Sequence, residues 1–394
     1  MTSEGVLNCP RDYSELRSQG SRSLTFSVGK PYHTTSNFPS WIFPEQNGFG
    51  PILYGAMGTE SSAKHSGTAY MHAFSCSDTQ IPSFTVWMKT RVYEYKSSNM
   101  QVSKLTIKNS KAEVADFSAD LVGSQLTTCT DFGTASYVTG STKAFRSGGA
   151  KVLWDDTITT NFDDVSITID NAVDPAEAKS LGVDYAEHLL AGSRSITGEA
   201  TLFVDSTTQL EDYWGAATGP ALTQPTIPLQ FVWVSSNIVA GSAIGVATKM
   251  AGSGTPTLTS GGTSTATTAD IFEVKVTTAS TTDKFKWRKN FGAWSEEVSV
   301  DGSAQTLSDG VTVTFSAKTG CVTSDRWFFY AGAIPYMLSI YIPAAKITDF
   351  AQQSTGNRLS AKVSFSAEMD NTTGVAFDMK AWLMNTYAPD YHDD

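Results

Sequence analysis

One pattern occurs twice in this chain and limits what it can fold into. Residues 104–121 read KLTIKNSKAEVADFSADL, and residues 346–370 read KITDFAQQSTGNRLSAKVSFSAEMD. Phe117-Ser118-Ala119-Asp120 returns as Phe365-Ser366-Ala367-Glu368, an offset of 365 − 117 = 248. Each copy reads as a short strand, a loop, and a strand that alternates apolar with polar. Strand side chains alternate with period two, so each second strand has two unlike faces. In the first copy Ala115, Phe117, Ala119 and Leu121 share one face, and Asp116, Ser118 and Asp120 the other. In the second, Val363, Phe365, Ala367 and Met369 oppose Ser364, Ser366, Glu368 and Asp370. The pattern predicts a duplicated module with Phe117 and Phe365 as equivalent core residues and Asp116, Asp120, Glu368 and Asp370 on a polar, acidic face. Chance convergence of two short strands is the alternative.

The bulk of the chain agrees with β structure. Its 394 residues allow two or three domains with a sizeable core. Only 17% are charged, below the roughly 25% of an average domain, and Ser, Thr and Gly fill the gap. The net charge of −11 and the lack of a Lys/Arg cluster argue against a nucleic-acid binder. An acidic protein can still handle DNA where its task is to repel it. Cys9, Cys76, Cys129 and Cys321 lack metal-ligand spacing and read as free thiols of a reducing compartment. Residues 1–5 carry neither the basic nor the apolar part of a signal peptide, and no apolar run is long enough to span a membrane, so a soluble protein used without secretion is expected.

Along the chain, residues 1–40 have little periodicity but many aromatics, which suggests an extended arm ordered on a partner. Residues 51–64 read as a short helix or a turn-rich loop. Strands follow at 84–89, 91–96, 101–108, 165–169, 196–204 and 228–234, with a turn at Ser97-Ser98-Asn99 and short helices at 175–178 and 207–214. From about 241 the chain turns Gly/Ser/Thr-rich. Short strands follow, with Trp287, Trp294 and Trp327 as candidate core, and the strand pattern of the main body resumes at Tyr336. The implied organisation is an arm (1–40), a first module (41–150), a second module (151–240 with 335–388), an inserted small β-sandwich (241–334) and an acidic tail (389–394).

No catalytic signature is present. The chain lacks HExxH, GxSxG, phosphate-loop and dinucleotide-binding patterns, and its five histidines are scattered. Asp155-Asp156 and Asp163-Asp164 are sequence neighbours, so on a strand they point to opposite faces and read as solvated acids. No enzyme activity and no cofactor or metal are expected.

Taken together, IPSFTVWMK (81–89), YEYKSSNMQVSKLTI (93–107), FSADLVG (117–123), VSITIDN (165–171), GSRSITGEATLFVDS (192–206) and SIYIPAAKIT…AKVSFSAEMD (339–370) resemble tail tube proteins of long-tailed bacteriophages. The insert resembles a decoration module of phage structural proteins, best at Trp294-Ser295 and 307–311. The resemblance implies a mainly β fold of tandem sandwich or barrel modules with flanking helices and an inserted immunoglobulin-like sandwich. It implies a structural virion protein of the tail, assembled in the host bacterial cytoplasm. Such proteins form rings that stack into the conduit for DNA ejection. Two modules per chain would make a pseudo-hexameric ring from three subunits. The implied partners are further copies, a tape measure protein and a tail terminator, with DNA passing unbound and no membrane involved. The acidic strand faces would then line the lumen, the alternative being an ordinary solvated outer surface. The rival readings are a carbohydrate- or receptor-binding β protein of a phage tail and a β-rich glycosidase.

Overall fold

The computed structural model describes residues 7–9, 13–16, 26–29, 32–44, 48–89, 94–130, 143–159, 161–176, 178–204, 207–355, 358–369, 377–388 and 391. Its organising element is an antiparallel sheet. In spatial order the strands are Thr34–Trp41, Asp116–Gly123, Glu94–Ser110, Phe162–Asp170, Ser195–Phe203, Arg358–Ala367 and the C-terminal part of Arg326–Thr355. Both repeated segments are hairpins of this sheet. Ile107 lies opposite Phe117 in the first, and Ile347 lies opposite Phe365 in the second. The leading strands are offset by 347 − 107 = 240 residues and the returning strands by 248, so the second hairpin is longer by 248 − 240 = 8 residues.

One face of this sheet is buried as the alternation predicts: Leu105, Ile107, Phe117, Ala119, Val165, Ile167, Ile196, Ala200, Val363 and Phe365 all belong to one core. The layer covering it is a second antiparallel sheet, in the order Thr157–Thr159, Ala150–Trp154, Ile227–Ile244, the middle of Arg326–Thr355, Lys380–Asn385, Ala69–Cys76 and Gly58–Ser66. The strand Arg326–Thr355 joins both sheets. Helix α1 (Phe49–Met57) also closes the core. Its Pro51 falls in the first turn, where an amide has no helical partner to lose. Phe49 of α1 meets Phe117 at 5.2 Å between ring centres, and Phe231 of the second sheet stacks on Phe365 at 6.0 Å. Gly198 lies directly opposite Phe365, and a side chain there would collide with the ring. Helix α2 (Thr208–Trp214) packs Tyr213 on Phe350 at 6.1 Å.

Several local expectations change. The 51–64 stretch divides into α1 and the strand Gly58–Ser66, because Gly58 takes the left-handed conformation (φ 96°) that ends the helix. Asn99 (φ 55°) is an irregularity inside the single strand Glu94–Ser110, not a turn. Pro175 and Ala176 form a turn rather than a helix. The anticipated arm is not wholly separate: Thr34–Trp41 is an integral strand, and Leu7–Asn8 pairs with it at Ser36 and Thr35. Met369 is exposed, since its strand ends at Ala367. The four cysteines are free, and only Cys321 is fully buried.

Residues from about 245 to 332 form two facing sheets with a hydrophobic cluster of their own, including Phe272, Val274, Phe285, Phe315, Trp327 and Phe329. Trp287 borders this cluster, whereas Trp294 lies 4.4 Å over the Arg288 guanidinium. The sheet's other side meets the main body through buried charges. Arg288 and Arg326 both donate to Glu273, and Arg326 also donates to Asp156 in the turn after Ala150–Trp154. Burial alone would raise the Asp156 carboxyl, but Arg326 and Lys275 overcome it and hold it below its ordinary range. Breaking a buried pair of this kind typically costs about 3–5 kcal/mol, so the orientation of this region is firmly set.

Candidate functional site

The most extensive ordered surface built by the repeat is the polar face of the first sheet. Because adjacent strands are in register, the polar positions of all of them fall side by side. Hydroxyls dominate: Thr106 and Thr168 are 3.2 Å apart, and Ser166, Thr197, Ser364 and Ser366 continue the row. Asn37 of the edge strand donates to Ser118 (3.0 Å) and to Asp120 (2.5 Å).

The sequence-predicted residues fall here as follows. Phe117 and Phe365 are buried beneath the sheet, 5% and 2% exposed. Asp116 and Asp120 are exposed on one strand of the polar face, and Glu368 is exposed just past the end of another. Asp370 lies outside the described residues. The acids do not stand alone. Lys108 is directly opposite Asp116 and Lys104 opposite Asp120. Lys346 reaches Glu368 at 3.4 Å, and Lys362 reaches Glu199 at 2.9 Å on neighbouring strands. Burial lifts the Asp116 carboxyl above its ordinary range, with Lys108 opposing and Glu113 adding to the shift. The face is therefore a mosaic of hydroxyls and cross-strand pairs, not the purely acidic strip expected from single strands. Pairs this exposed contribute only about 0–1 kcal/mol each. Their effect is to offset one another's charge locally.

Alternation along one strand fixed which residues share a face, but the opposing lysines come from other strands, 8 positions away for Lys108 and Asp116 and 163 for Lys362 and Glu199. The signal that could have found them is the Lys-x-Thr-x-Lys run at 104–108, which alternates in step with the acids of the returning strand.

Among the described residues no group of three or more His, Cys, Asp or Glu is placed to hold a metal ion. His72 is committed to Glu60 at 2.7 Å and to Asn385 at 3.1 Å. Among the described residues no helix is long and apolar enough to cross a membrane.

Two layered antiparallel sheets, one with a broad hydroxyl-rich face, define a mainly β protein. The model of the family described as phage tail tube protein matches residues 28–267, more than half of the chain, and the chain belongs to that family. It is thus a structural protein of the virion tail. No curated protein matches it. Among solved structures, a chain of infectious bursal disease virus Gx strain is 8% identical, with 90% of this chain and 76% of that one covered, but its TM-score of 0.10 carries no argument.

Proposed function

We propose that the protein self-assembles into closed rings, three chains to a ring with two modules each, and that stacked rings form the conduit for DNA ejection. The observation that carries this reading is the continuous sheet containing both repeat hairpins in the same register. Its two outer strands are suited to joining copies. Beyond Ala345, Lys346–Thr355 has a strand neighbour on one side only, and Thr34–Trp41 is covered on its outer side only at Thr35 and Ser36, both statements applying to the described residues. Side-by-side joining would pair these backbone groups and remove edges that otherwise invite aggregation. The pairing of α1 with Phe117 and of α2 with the strand bearing Ile347 supports counting two modules.

In this reading the mosaic face carrying Asp116, Asp120 and Glu368 lines the lumen, where balanced charge lets a polyanion slide without adhering. The 245–332 region lies on the outside as a decoration. A tape measure protein would fill the bore and a terminator cap the tube, with assembly in the host cytoplasm. The test is the symmetry of the purified oligomer by electron microscopy. Rings of three chains with six similar units support the proposal, and rings of six chains or discrete monomers refute it.

A further inference from the structure

A cleft of about 640 Å³ opens between the first hairpin's bend (112–114), the segment 143–151 and the 245–332 region. Three cations line it, Lys143, Arg146 and Lys151, against the single acid Glu113. Such a concentration is unusual in a chain of net charge −11. Among the described residues none of the three has an ion-pair partner. Lys151 instead sits 5.2 Å over the Phe291 ring, and burial lowers its affinity for a proton. The inner wall includes Tyr330, only 2% exposed, whose hydroxyl has no hydrogen-bond partner. An adjoining hollow of about 470 Å³ shares Ala112, Ser147, Gly148 and Lys151, and is lined by Asn109, whose buried Nδ2 is likewise unpartnered. Unpaired cations beside unmet hydrogen-bonding groups describe a receptor for an anion that the isolated chain does not supply.

The complementary surface lies at the opposite end of the same sheet. The strand Phe162–Asp170 starts at the cleft, where Asp163 and Asp164 line the adjoining hollow. It ends in the loop 171–194, about 30 Å away at roughly 3.3 Å per residue. That loop is a built knob. Val173, Ala178, Ala186 and Leu189 pack with Ile81, and Asn171 donates to the Ala56 and Val102 carbonyls. It carries the exposed carboxylates Asp174, Asp184 and Glu187, the last 3.8 Å from the ring of His188, and the fully exposed Leu181. Its Arg194 is occupied by Asp378 and Asp78, which leaves Lys179 as the opposing lysine.

We infer that the cationic cleft receives the acidic 171–194 loop of a second copy, so that chains stack head to tail along the strand direction. This rests on the self-assembly reading above and names the contact between successive rings. A heterologous contact joining opposite ends of one protein propagates without closing, as a tube requires. Charge complementarity supplies register and rate of encounter more than raw affinity.

The test is a charge swap in the full chain. Lys143→Glu with Arg146→Glu, both exposed, and separately Asp184→Lys with Glu187→Lys, should leave the melting temperature and the rings unchanged but weaken stacking at least ten-fold in sedimentation velocity. The four substitutions together should restore stacks visible by electron microscopy. Carbodiimide cross-linking of wild-type assemblies made from isotope-mixed copies should join Lys143 or Lys151 to Asp184 or Glu187 between copies, which does not depend on any variant folding. Normal stacking by either pair variant, no recovery in the combination, or no such cross-link would overturn the inference while leaving ring formation intact. A wild-type chain that forms no oligomer would instead overturn the assembly reading and this contact with it.

Discussion

Gly198 and Phe365 face each other across two strands of the first sheet, and their contact gives a quantitative test of the core. Phe365→Ala removes a ring that is 2% exposed, and such truncations cost about 3–5 kcal/mol. With about 2.1 cal/mol/K per residue over 394 residues, the unfolding entropy is about 0.8 kcal/mol/K, so the melting temperature should fall by about 4–6 °C. Gly198→Ala places a methyl where the ring already sits. Overpacking of this kind costs about 1–3 kcal/mol. In the Phe365→Ala background the same methyl enters vacated space, and alanine in a strand gains about 0.5–1 kcal/mol over glycine. The two substitutions should therefore couple favourably by roughly 1.5–4 kcal/mol, at the upper end of the range seen for touching residues. Urea unfolding of the unassembled subunit, followed by circular dichroism for all four members of the cycle, measures this. An equal cost of Gly198→Ala in both backgrounds would refute the packing argument.

Two further outcomes are expected. Replacing Asp120 and Glu368 together with Lys should change stability by no more than about 0.5 kcal/mol, because both are exposed, yet the face would lose its balance against Lys104 and Lys346 and retard passage of DNA; virions carrying both changes that eject at the normal rate would count against a lumenal role. His65 is buried with neither ring nitrogen partnered, and burial lowers its pKa to about 4. The unfolded chain takes up this proton below about 6.5 and the folded chain only near 4, so its contribution is intact above pH 6.5 and is lost as pH falls through that window, by roughly 3 kcal/mol in all. His65→Leu should flatten the acid limb of the stability profile, and an unchanged limb would show that another group governs it.

The strands of the first sheet were readable because one side of each is buried and the other wet. Val165 to Ile169 and Ile196 to Leu202 alternate cleanly for that reason, and so do both repeat hairpins. The second sheet was harder. Tyr330 to Ile342 is apolar on both sides, since this strand is enclosed by the main core and by the 245–332 region, and such a run carries no period. Partners across strands were not legible at all, which is why Asp116 and Asp120 looked unopposed. The buried set Glu273, Arg288 and Arg326 was equally hidden: each occupies an ordinary polar position in its own strand, and only the convergence of both arginines on Glu273 and on Asp156 reveals them as a joint between two parts of the molecule. The 171–194 loop misled in the opposite sense, because Pro175-Ala176 in an acidic stretch looks like a helix start, while the local core of Val173 and Leu189 holds it as a turn.

The strand Arg326–Thr355 begins in the 245–332 region, crosses the second sheet and ends along the margin of the first. A tension applied to the 245–332 region therefore runs down a single covalent backbone. Where it reaches the first sheet, the antiparallel bonds to Arg358–Ala367 stand across the line of pull and are loaded in shear, many at once, instead of being unzipped singly. The molecule is mechanically continuous from the 245–332 region to the first sheet, and a force on that region would be shared by the sheet's own hydrogen bonds before any one of them ruptured.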